Sequence, residues 1–246
     1  MENQQHVLYK PIGQIVADDY RTLEIFQSYN IDFYFEGNKN IQKVTDEHKL
    51  DSKLLLNKIQ DIQRTEQIEN IFFQNWPLDL LVDYIEKKHH RYIRKNAPVV
   101  KDHLCRLCET YGKEYPNLLE VSEKFLNCIS AFKDHMKNEE MFLFPIIRKR
   151  VMAKNARVKL ANHHFGSLQN PIRKMVSAHK TESERFKQIV NLTNNYTLPV
   201  DISETYTIAY TSLQQFQKDL QTHIHLENNI LFPKIKTLEK QWKLDH

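Results

Sequence analysis

The chain has 246 residues, of which 27% are charged, and a formal net charge of +4. This length allows one large domain or two smaller ones, and a small charge without a block of Lys or Arg argues against nucleic-acid binding. Only four glycines occur, with no G-x-G-x-x-G or P-loop pattern, which argues against a phosphate-binding loop and favours long helices.

The sequence indicates a protein of a reducing compartment. Its first ten residues are polar where a secretory signal would need an apolar run, and no segment reaches membrane-spanning length. The three cysteines are an odd number and do not make a disulfide framework in a chain of this length. We therefore expect a cytoplasmic protein with no membrane partner and no nucleic-acid partner.

Residues 1–74 are predicted to form a small helical domain. Apolar residues recur at helical spacing from Ile12 to Ile25, where Asp18-Asp19 would lie on the solvated face. Gly37-Asn38 marks a turn, and Thr45-Asp46-Glu47 can cap a further helix. Because about sixty residues is short for an independent core, we expect this segment to pack against a neighbour.

Residues 75–246 are predicted to form an all-α domain, an up-down-up-down four-helix bundle. Pro77 suits the first position of a helix, and apolar residues follow at the spacing of a buried face. Long helices joined by short connections are typical of such a bundle. The helices are expected at 78–112 (with a kink at Pro98), 117–152, 155–194 and 203–240.

One pattern, H-x3-E-x3-L-F-P, occurs twice in this domain, beginning at His135 and at His223. Residues four apart on an α-helix project from one face, so each copy offers an imidazole and a carboxylate, those of Glu139 and Glu227, to a common point. The Leu-Phe pair is expected to pack in the core before the proline ends or bends the helix. Two copies with matching offsets indicate half of a metal site.

The other two long helices are expected to supply further ligands. The first contains His89-His90 and the third contains His179. His90 lies 45 residues before His135, and His179 lies 44 residues before His223, so the matching intervals favour His90 over His89. The predicted metal ligands are His90, His135, Glu139, His179, His223 and Glu227.

Four imidazoles and two carboxylates inside a helical bundle suit two first-row metal ions, which carboxylates bridge. Iron is favoured and manganese stays open, whereas structural zinc sites are closed tetrahedra that usually contain thiolates. Six side chains shared by two ions leave positions for an oxide or hydroxide bridge and for a small molecule.

Several other residues that could attract attention are interpreted as structural. Cys105 and Cys108 form a C-x2-C pair within a helical run, without a second pair to complete a zinc site. Phe142 is interpreted as a packing residue. The histidines interpreted as surface residues or as neighbours of the ligands are His103, His163, His164 and His225.

The stretches around the predicted ligands match one family pattern. They are His89-His90-Arg91-Tyr92, His135-x3-Glu139, Pro171-Ile172-Arg173-Lys174-Met175 before His179, Leu192-Thr193-Asn194-Asn195-Tyr196, and His223-x3-Glu227-Asn228-Asn229-x-Leu231-Phe232-Pro233. With these residues the chain resembles, over most of its length, the hemerythrin-like iron–sulfur cluster repair di-iron proteins. The last two stretches are specific to that family.

The resemblance implies that the six predicted ligands hold two non-haem iron ions with an oxo or hydroxo bridge. It implies repair of iron–sulfur clusters damaged by oxidative or nitrosative stress, by iron donation, by reaction of the di-iron centre with nitric oxide, or by both. The implied partners are damaged iron–sulfur proteins or a cluster scaffold, with NO or O2 as small molecules. Whether the chain forms a homodimer through its N-terminal domain stays open.

The chain also departs from the family pattern. The small N-terminal domain of the family carries Asp-Phe-Cys-Cys-Gly-Gly, and this chain has Asp32-Phe33-Tyr34-Phe35-Glu36-Gly37, which leaves any thiol step of that domain without its cysteines. The family usually has His at Cys108, and Glu-His-Asp in place of Ala178-His179-Lys180. The second change removes an acid that could orient a ligand.

Alternative functions stay open from the same residues. Hemerythrin-type proteins that bind or sense oxygen or NO generally carry H-x3-H on the third helix and H-x4-D on the last. Here Ser183 stands four residues after His179, and the last helix has H-x3-E. Two further functions also stay open, that of an enzyme such as a nitric oxide reductase and that of a metal-free helical interaction module.

Overall fold

The computed structural model describes residues 7–64, 72–156, 167–199 and 203–244. Within them the chain is helical, as the sequence predicted, with an isolated β-bridge between Pro11 and Asn40. The pair His163-His164 and the expected first part of the third long helix, 157–166, lie outside the described residues. In the described part, no helix combines the length and apolarity needed to cross a membrane.

The chain divides into two compact units. One combines Met1–Leu81 with Ile224–His246, and the other spans Val82–His223. The division at residue 223 falls inside a continuous helical run. The domain boundary expected between residues 74 and 75 stays a prediction.

Short helices fill the N-terminal part of the chain. They are α1 (Ile12–Asp18), a 3-10 turn (Tyr20–Thr22), α2 (Leu23–Ser28), α3 (Ile41–His48), α4 (Ser52–Arg64) and a 3-10 turn (Phe73–Asn75). One helix from Ile12 to Ile25 was the wrong expectation, because Asp19 is extended and buried and its carboxylate accepts a hydrogen bond from the Arg21 backbone N–H. Thr45 lies inside α3, which Asn40 caps instead by accepting from the Lys43 N–H.

Four long helical runs follow, at 78–111, 117–155, 169–192 and 204–244. The first contains α5 (Leu78–Tyr84), a π segment (Ile85–His90) and α6 (Arg91–Tyr111), and Pro98 lies inside α6 without ending it. The second contains α7 (Asn117–Asn138), a π segment (Glu139–Leu143) and α8 (Phe144–Asn155). The third is α9 (Gln169–Leu192), and the fourth contains α10 (Glu204–His225), a π segment (Leu226–Leu231) and α11 (Phe232–Leu244).

Neighbouring long helices within Val82–His223 are antiparallel, because their contact partners change in opposite order along the sequence. The first run meets the fourth through His89 with Asp219, His103 with Ser212, and Tyr111 with Tyr206. The second meets the first through Glu140 with His90 and Leu118 with Cys108, and meets the third through Asn117 with Leu192 and His135 with His179. This is the predicted up-down-up-down bundle.

The prolines of the two L-F-P motifs do not end their helices, which was one of the two outcomes expected for them. Pro145 and Pro233 are each the second residue of a continuing α-helix. A proline ring clashes with the carbonyl four residues earlier in a regular α-helix and donates no hydrogen bond. In both runs a π segment, wound more widely, ends two residues before the proline, which provides room for the ring.

Candidate metal centre

Three of the four long helices change from α to π winding next to a predicted ligand. Backbone N–H groups reach back five residues there: Arg91 to the Glu86 carbonyl, Phe144 to that of Glu139, and Phe232 to that of Glu227. The π segments end at His90, begin at Glu139 and contain Glu227. Such π turns are rare and occur frequently at functional sites.

Four predicted ligands converge inside the bundle. His135, Glu139, His179 and His223 each offer a ligand atom, and these atoms lie within 4.8 Å of one another. His135 Nε2 is 3.0 Å from both Glu139 Oε1 and His179 Nε2. Glu139, His179 and His223 are fully buried, and His135 is 6% exposed. The fold therefore brings together four of the side chains that the sequence predicted as ligands.

His90 lies beside this cluster, and His89 faces a different group. His90 is fully buried, and its Nε2 is 3.5 Å from Glu139 Oε2. Its ring stacks on that of His223 with centroids 5.0 Å apart. His89 is also buried, but its Nδ1 is 3.1 Å from Asp219 Oδ1. The geometry therefore places His90 nearer the carboxylate of the cluster, as the interval argument favoured.

The carboxylate of Glu140, which is itself bound by Arg94, contacts the Nδ1 side of the His90 ring. His90 Nδ1 is 2.7 Å from Glu140 Oε1, and Arg94 donates to both oxygens of Glu140 at 2.8 and 2.7 Å. Burial alone would raise the pKa of Glu140, but the hydrogen bonds from Arg94 and His90 outweigh it, and the pKa is lowered. An ionised Glu140 accepts the Nδ1 proton and directs Nε2 of His90 toward Glu139.

Glu227 is placed by its own helix. It follows His223 by four residues in the same continuous run, so it lies about one turn further along. It is fully buried. The division into two units puts Glu227 with Ile224–His246, and the other predicted ligands lie in Val82–His223.

This donor set fits a first-row metal ion. Imidazoles suit iron, and carboxylates offset the charge of a divalent or trivalent ion. A buried carboxylate is costly unless a cation or several donors stabilise it. Fully buried Glu139, next to imidazole nitrogens at hydrogen-bonding distance, is therefore an environment that a cation would stabilise.

Aromatic rings enclose the cluster. Phe132 stacks on His135 with centroids 5.1 Å apart and meets His223 edge-on at 5.2 Å, and Phe144 stacks on His90 at 5.6 Å. Phe144 thus packs in the core as the L-F-P motif predicted. Phe142 does not, because it is 60% exposed, and its interpretation as a packing residue was wrong.

The other histidines and the cysteines occupy separate environments. His103 bonds to Ser212, and His225 is buried with its Nδ1 3.0 Å from the Asn229 amide nitrogen. Burial lowers the pKa of His225 to about 3, so its imidazole is neutral. All three cysteines lie in the described residues and are free. The Cys108 thiol donates to the Leu118 carbonyl, which is a packing role.

Two acids were missed from the sequence, Glu140 and Asp219, each of which bonds to a histidine on the first long helix. One signal for Glu140 was available, since Arg94 follows His90 by four residues and presents a cation on the same helix face. The Asp219 contact joins residues 130 positions apart, and no local pattern points to it.

Two family models match the chain. One, described as the hemerythrin HHE cation binding domain, matches residues 81–235, which is more than half of the chain. The other, described as a domain of unknown function (DUF542), matches residues 8–63.

The chain is also similar to curated proteins over nearly its whole length. It is 24% identical over 223 residues to the iron-sulfur cluster repair protein ScdA of Staphylococcus haemolyticus, and this match covers 91% of this chain and 96% of that protein. It is 26% identical over 232 residues to the iron-sulfur cluster repair protein YtfE of Musicola paradisiaca, with 93% and 97% covered. The protein of that name from Salmonella choleraesuis is 26% identical over 229 residues.

Proposed function

Because the chain belongs to the hemerythrin family of HHE cation binding domains, we propose that it carries a di-iron centre and acts in the repair of iron–sulfur clusters damaged by oxidative or nitrosative stress. The buried cluster of imidazoles and carboxylate, with ligand atoms within 4.8 Å, is the observation that carries this proposal. The names of relatives that match over more than nine tenths of the chain support the repair role.

The six ligands of the proposed centre are those that the sequence predicted: His90, His135, Glu139, His179, His223 and Glu227. The two carboxylates offset the charge of the ions, and the four imidazoles bind as neutral donors. Bound iron would supply redox chemistry, affinity for NO and O2, and metal that can pass to a damaged cluster. Glu140 holds the Nδ1 proton of His90, and Phe132 and Phe144 limit the access of water to the rings they stack on.

A repair role fits these ligands better than reversible oxygen carriage. The position four residues after His179 is Ser183, which is buried and offers no imidazole. The last helix supplies Glu227 in its motif. Fewer imidazoles and more carboxylate favour a centre that reacts with its small-molecule ligand over one that binds it reversibly. The proposed partners are damaged iron–sulfur proteins or a cluster scaffold, and the three free cysteines support a cytoplasmic location.

The test is the recovery of an iron–sulfur enzyme in cells. Cells that lack the protein are exposed to nitric oxide, new protein synthesis is blocked, and aconitase-type activity is followed with time. We expect slow recovery, restored by the wild-type chain and by Glu123→Ala, an exposed acid of α7, but not by Glu139→Ala/Glu227→Ala. Recovery at the normal rate without the protein would contradict the repair role.

The same cells separate iron donation from reaction with nitric oxide. If iron is donated, the iron content of the protein recovered after repair falls as aconitase-type activity returns. If the centre acts by consuming nitric oxide, the iron content stays constant and the enzyme is protected during the exposure itself.

A further inference from the structure

Asn229 ties a loop of the N-terminal segment to the helix that carries Glu227. Its amide nitrogen donates to the backbone carbonyl of Phe33 at 3.1 Å and to that of Tyr34 at 3.3 Å. The neighbouring Asn228 amide also donates to the Tyr34 carbonyl, at 3.3 Å. These contacts join residues almost 200 positions apart in sequence, and all of them lie within one compact unit.

Two glycines make room for the Asn229 side chain. A Cβ built on Gly13 would lie 2.7 Å from Asn229 Oδ1, and one built on Gly37 would lie closer still. The two glycines also meet each other, since the Gly13 N–H donates to the Gly37 carbonyl at 2.9 Å. Any larger residue at either position would displace the amide or the backbone, so the loop closes tightly around this one side chain.

The contacts of Asn229 reach both sides of Glu227. Asn229 follows Glu227 by two residues, and its amide nitrogen is 3.0 Å from Nδ1 of His225, which precedes Glu227 by two. The His225 ring in turn packs edge-on against Phe33, with centroids 5.4 Å apart. Residues on both sides of Glu227 in the sequence therefore bind the turn that carries it to the loop.

This turn is a π segment, Leu226–Leu231. A π turn has poorer intrinsic stability than an α turn, so it persists where surrounding contacts support it. We propose that Asn229 is a positioning residue: held by the loop from Phe33 to Gly37, it fixes this π segment and with it the direction of the Glu227 carboxylate toward metal. The inference rests on the proposed function, because it assumes that Glu227 binds metal.

The same geometry assigns the N-terminal segment a role that needs no thiol. The loop presents main-chain carbonyls to the two asparagines, and main-chain carbonyls are independent of side-chain identity. Tyr34 and Phe35, which stand where the family pattern has two cysteines, are therefore compatible with this role. The loop would support the metal ligand in this chain whatever chemistry the cysteines perform elsewhere.

The experiment measures iron affinity and unfolding temperature on the full-length protein, with and without ferrous iron added under anaerobic conditions. Asn229→Ala removes the amide from the ligand helix, and Gly37→Ala displaces it from the loop side without altering that helix. Asn117→Ala is the matched control, because it removes an equivalent amide bond, from Asn117 to the Leu192 carbonyl at 2.8 Å, far along the bundle from the ligands.

We expect Asn229→Ala and Gly37→Ala each to weaken iron binding about 10–100-fold, as changes of groups that orient metal ligands do. The increase in unfolding temperature that iron produces should shrink in both variants. In Asn117→Ala the iron-free and iron-loaded forms should lose stability equally, with iron affinity unchanged. Asn228→Ala, which removes the bond to the Tyr34 carbonyl and leaves Asn229 in place, is the milder variant if Asn229→Ala does not fold, and should show the same pattern at smaller size.

Two results would overturn the inference in distinguishable ways. If the Asn229 and Gly37 variants behave like Asn117→Ala, with equal losses in both forms and unchanged affinity, the asparagine is structural only and the proposed di-iron function stands. If the wild-type protein itself binds no stoichiometric iron, the proposed function fails and the inference fails with it.

Discussion

The two ends of the four-helix bundle in Val82–His223 bury different kinds of side chain. At one end the helices bury imidazoles and a carboxylate around Glu139. At the other, Leu107, Leu118, Ala209 and the rings of several tyrosines form an apolar cluster. Burial of apolar surface is favourable without any ligand, whereas burial of a carboxylate is costly unless a cation accompanies it. The apolar end is expected to hold the fold whatever the metal content, and the ligand end to depend on metal.

Tyrosines reinforce the apolar end. The rings of Tyr206 and Tyr210 lie 4.9 Å apart, and burial raises the pKa of Tyr210, so its hydroxyl stays neutral. Tyr196 follows two asparagines in a left-handed turn, all three with positive φ, which is unfavourable for residues other than glycine. Its hydroxyl bonds to Gln217, which anchors the turn to α10. This end therefore has enough favourable packing to support a strained turn.

The largest effect is expected at the apolar end. Leu118→Ala, at a fully buried position, should cost about 2–5 kcal/mol of unfolding free energy because it leaves a cavity. The loss should be the same with and without iron, as measured by urea unfolding followed by circular dichroism. Leu119→Ala, whose side chain is 56% exposed, is the matched control. A loss of unfolding free energy confined to the iron-loaded form would show that the apolar end also depends on metal.

Removal of metal should affect only the ligand end. With free iron at 100 to 1,000 times the dissociation constant, binding contributes about 2.7–4.1 kcal/mol, which chelation removes. Amide hydrogen exchange should then accelerate in 135–143 and 85–90 and stay slow in the helices around Leu107 and Tyr210. Uniform acceleration along the whole bundle would show that the ends are not independent.

Glu140→Gln sharpens the account of the ligand end. The amide keeps the shape of the side chain but removes the charge that holds the Nδ1 proton of His90, so iron affinity should fall about 10–100-fold. The stability of the iron-free protein should change little, because Glu140 is partly exposed. Titration with ferrous iron measures the affinity, and Glu123→Gln on the exposed face of α7 is the control. An unchanged affinity would remove Glu140 from the site.

The smallest expected effect concerns an ion pair that flanks the first π segment. Hydrogen bonds from Lys87 and then Arg148 lower the pKa of Asp83. A lowered folded-state pKa contributes stability above the unfolded-state value of about 4, which is lost as the pH falls through the folded-state pKa. Asp83→Asn should therefore be slightly less stable than wild type at pH 7, with the difference vanishing below about pH 4. Thermal unfolding against pH measures this, and exposed Asp102→Asn should show no such dependence.

Sequence reasoning found the elements that depend on local spacing. The intervals between His135 and Glu139 and between His223 and Glu227 are fixed by helix periodicity, and the long helices carry continuous apolar faces. The break at Asp19 was not found, because a buried aspartate that pairs with Arg21 looks like a solvated residue of a helix face. The contact of His90 with Glu140 joins positions 50 apart, and only the packed bundle shows it.

The π segments illustrate the same limit more sharply. The proline of each L-F-P motif was visible in the sequence, and a break or bend was the reasonable expectation. What the sequence did not show is that a wide turn before the proline lets the helix continue. In each case that turn contains a predicted carboxylate ligand, Glu139 or Glu227. The motif thus allows the helix to continue through its proline and also contains a predicted ligand.

The iron content of the purified chain tests the central claim most directly. Mass spectrometry of metal in protein from iron-replete cells should find close to two iron ions per chain for the wild type and near none for Glu139→Ala/Glu227→Ala. The variant should remain folded, because the apolar end of the bundle does not depend on metal. A wild-type chain without stoichiometric metal would contradict the account.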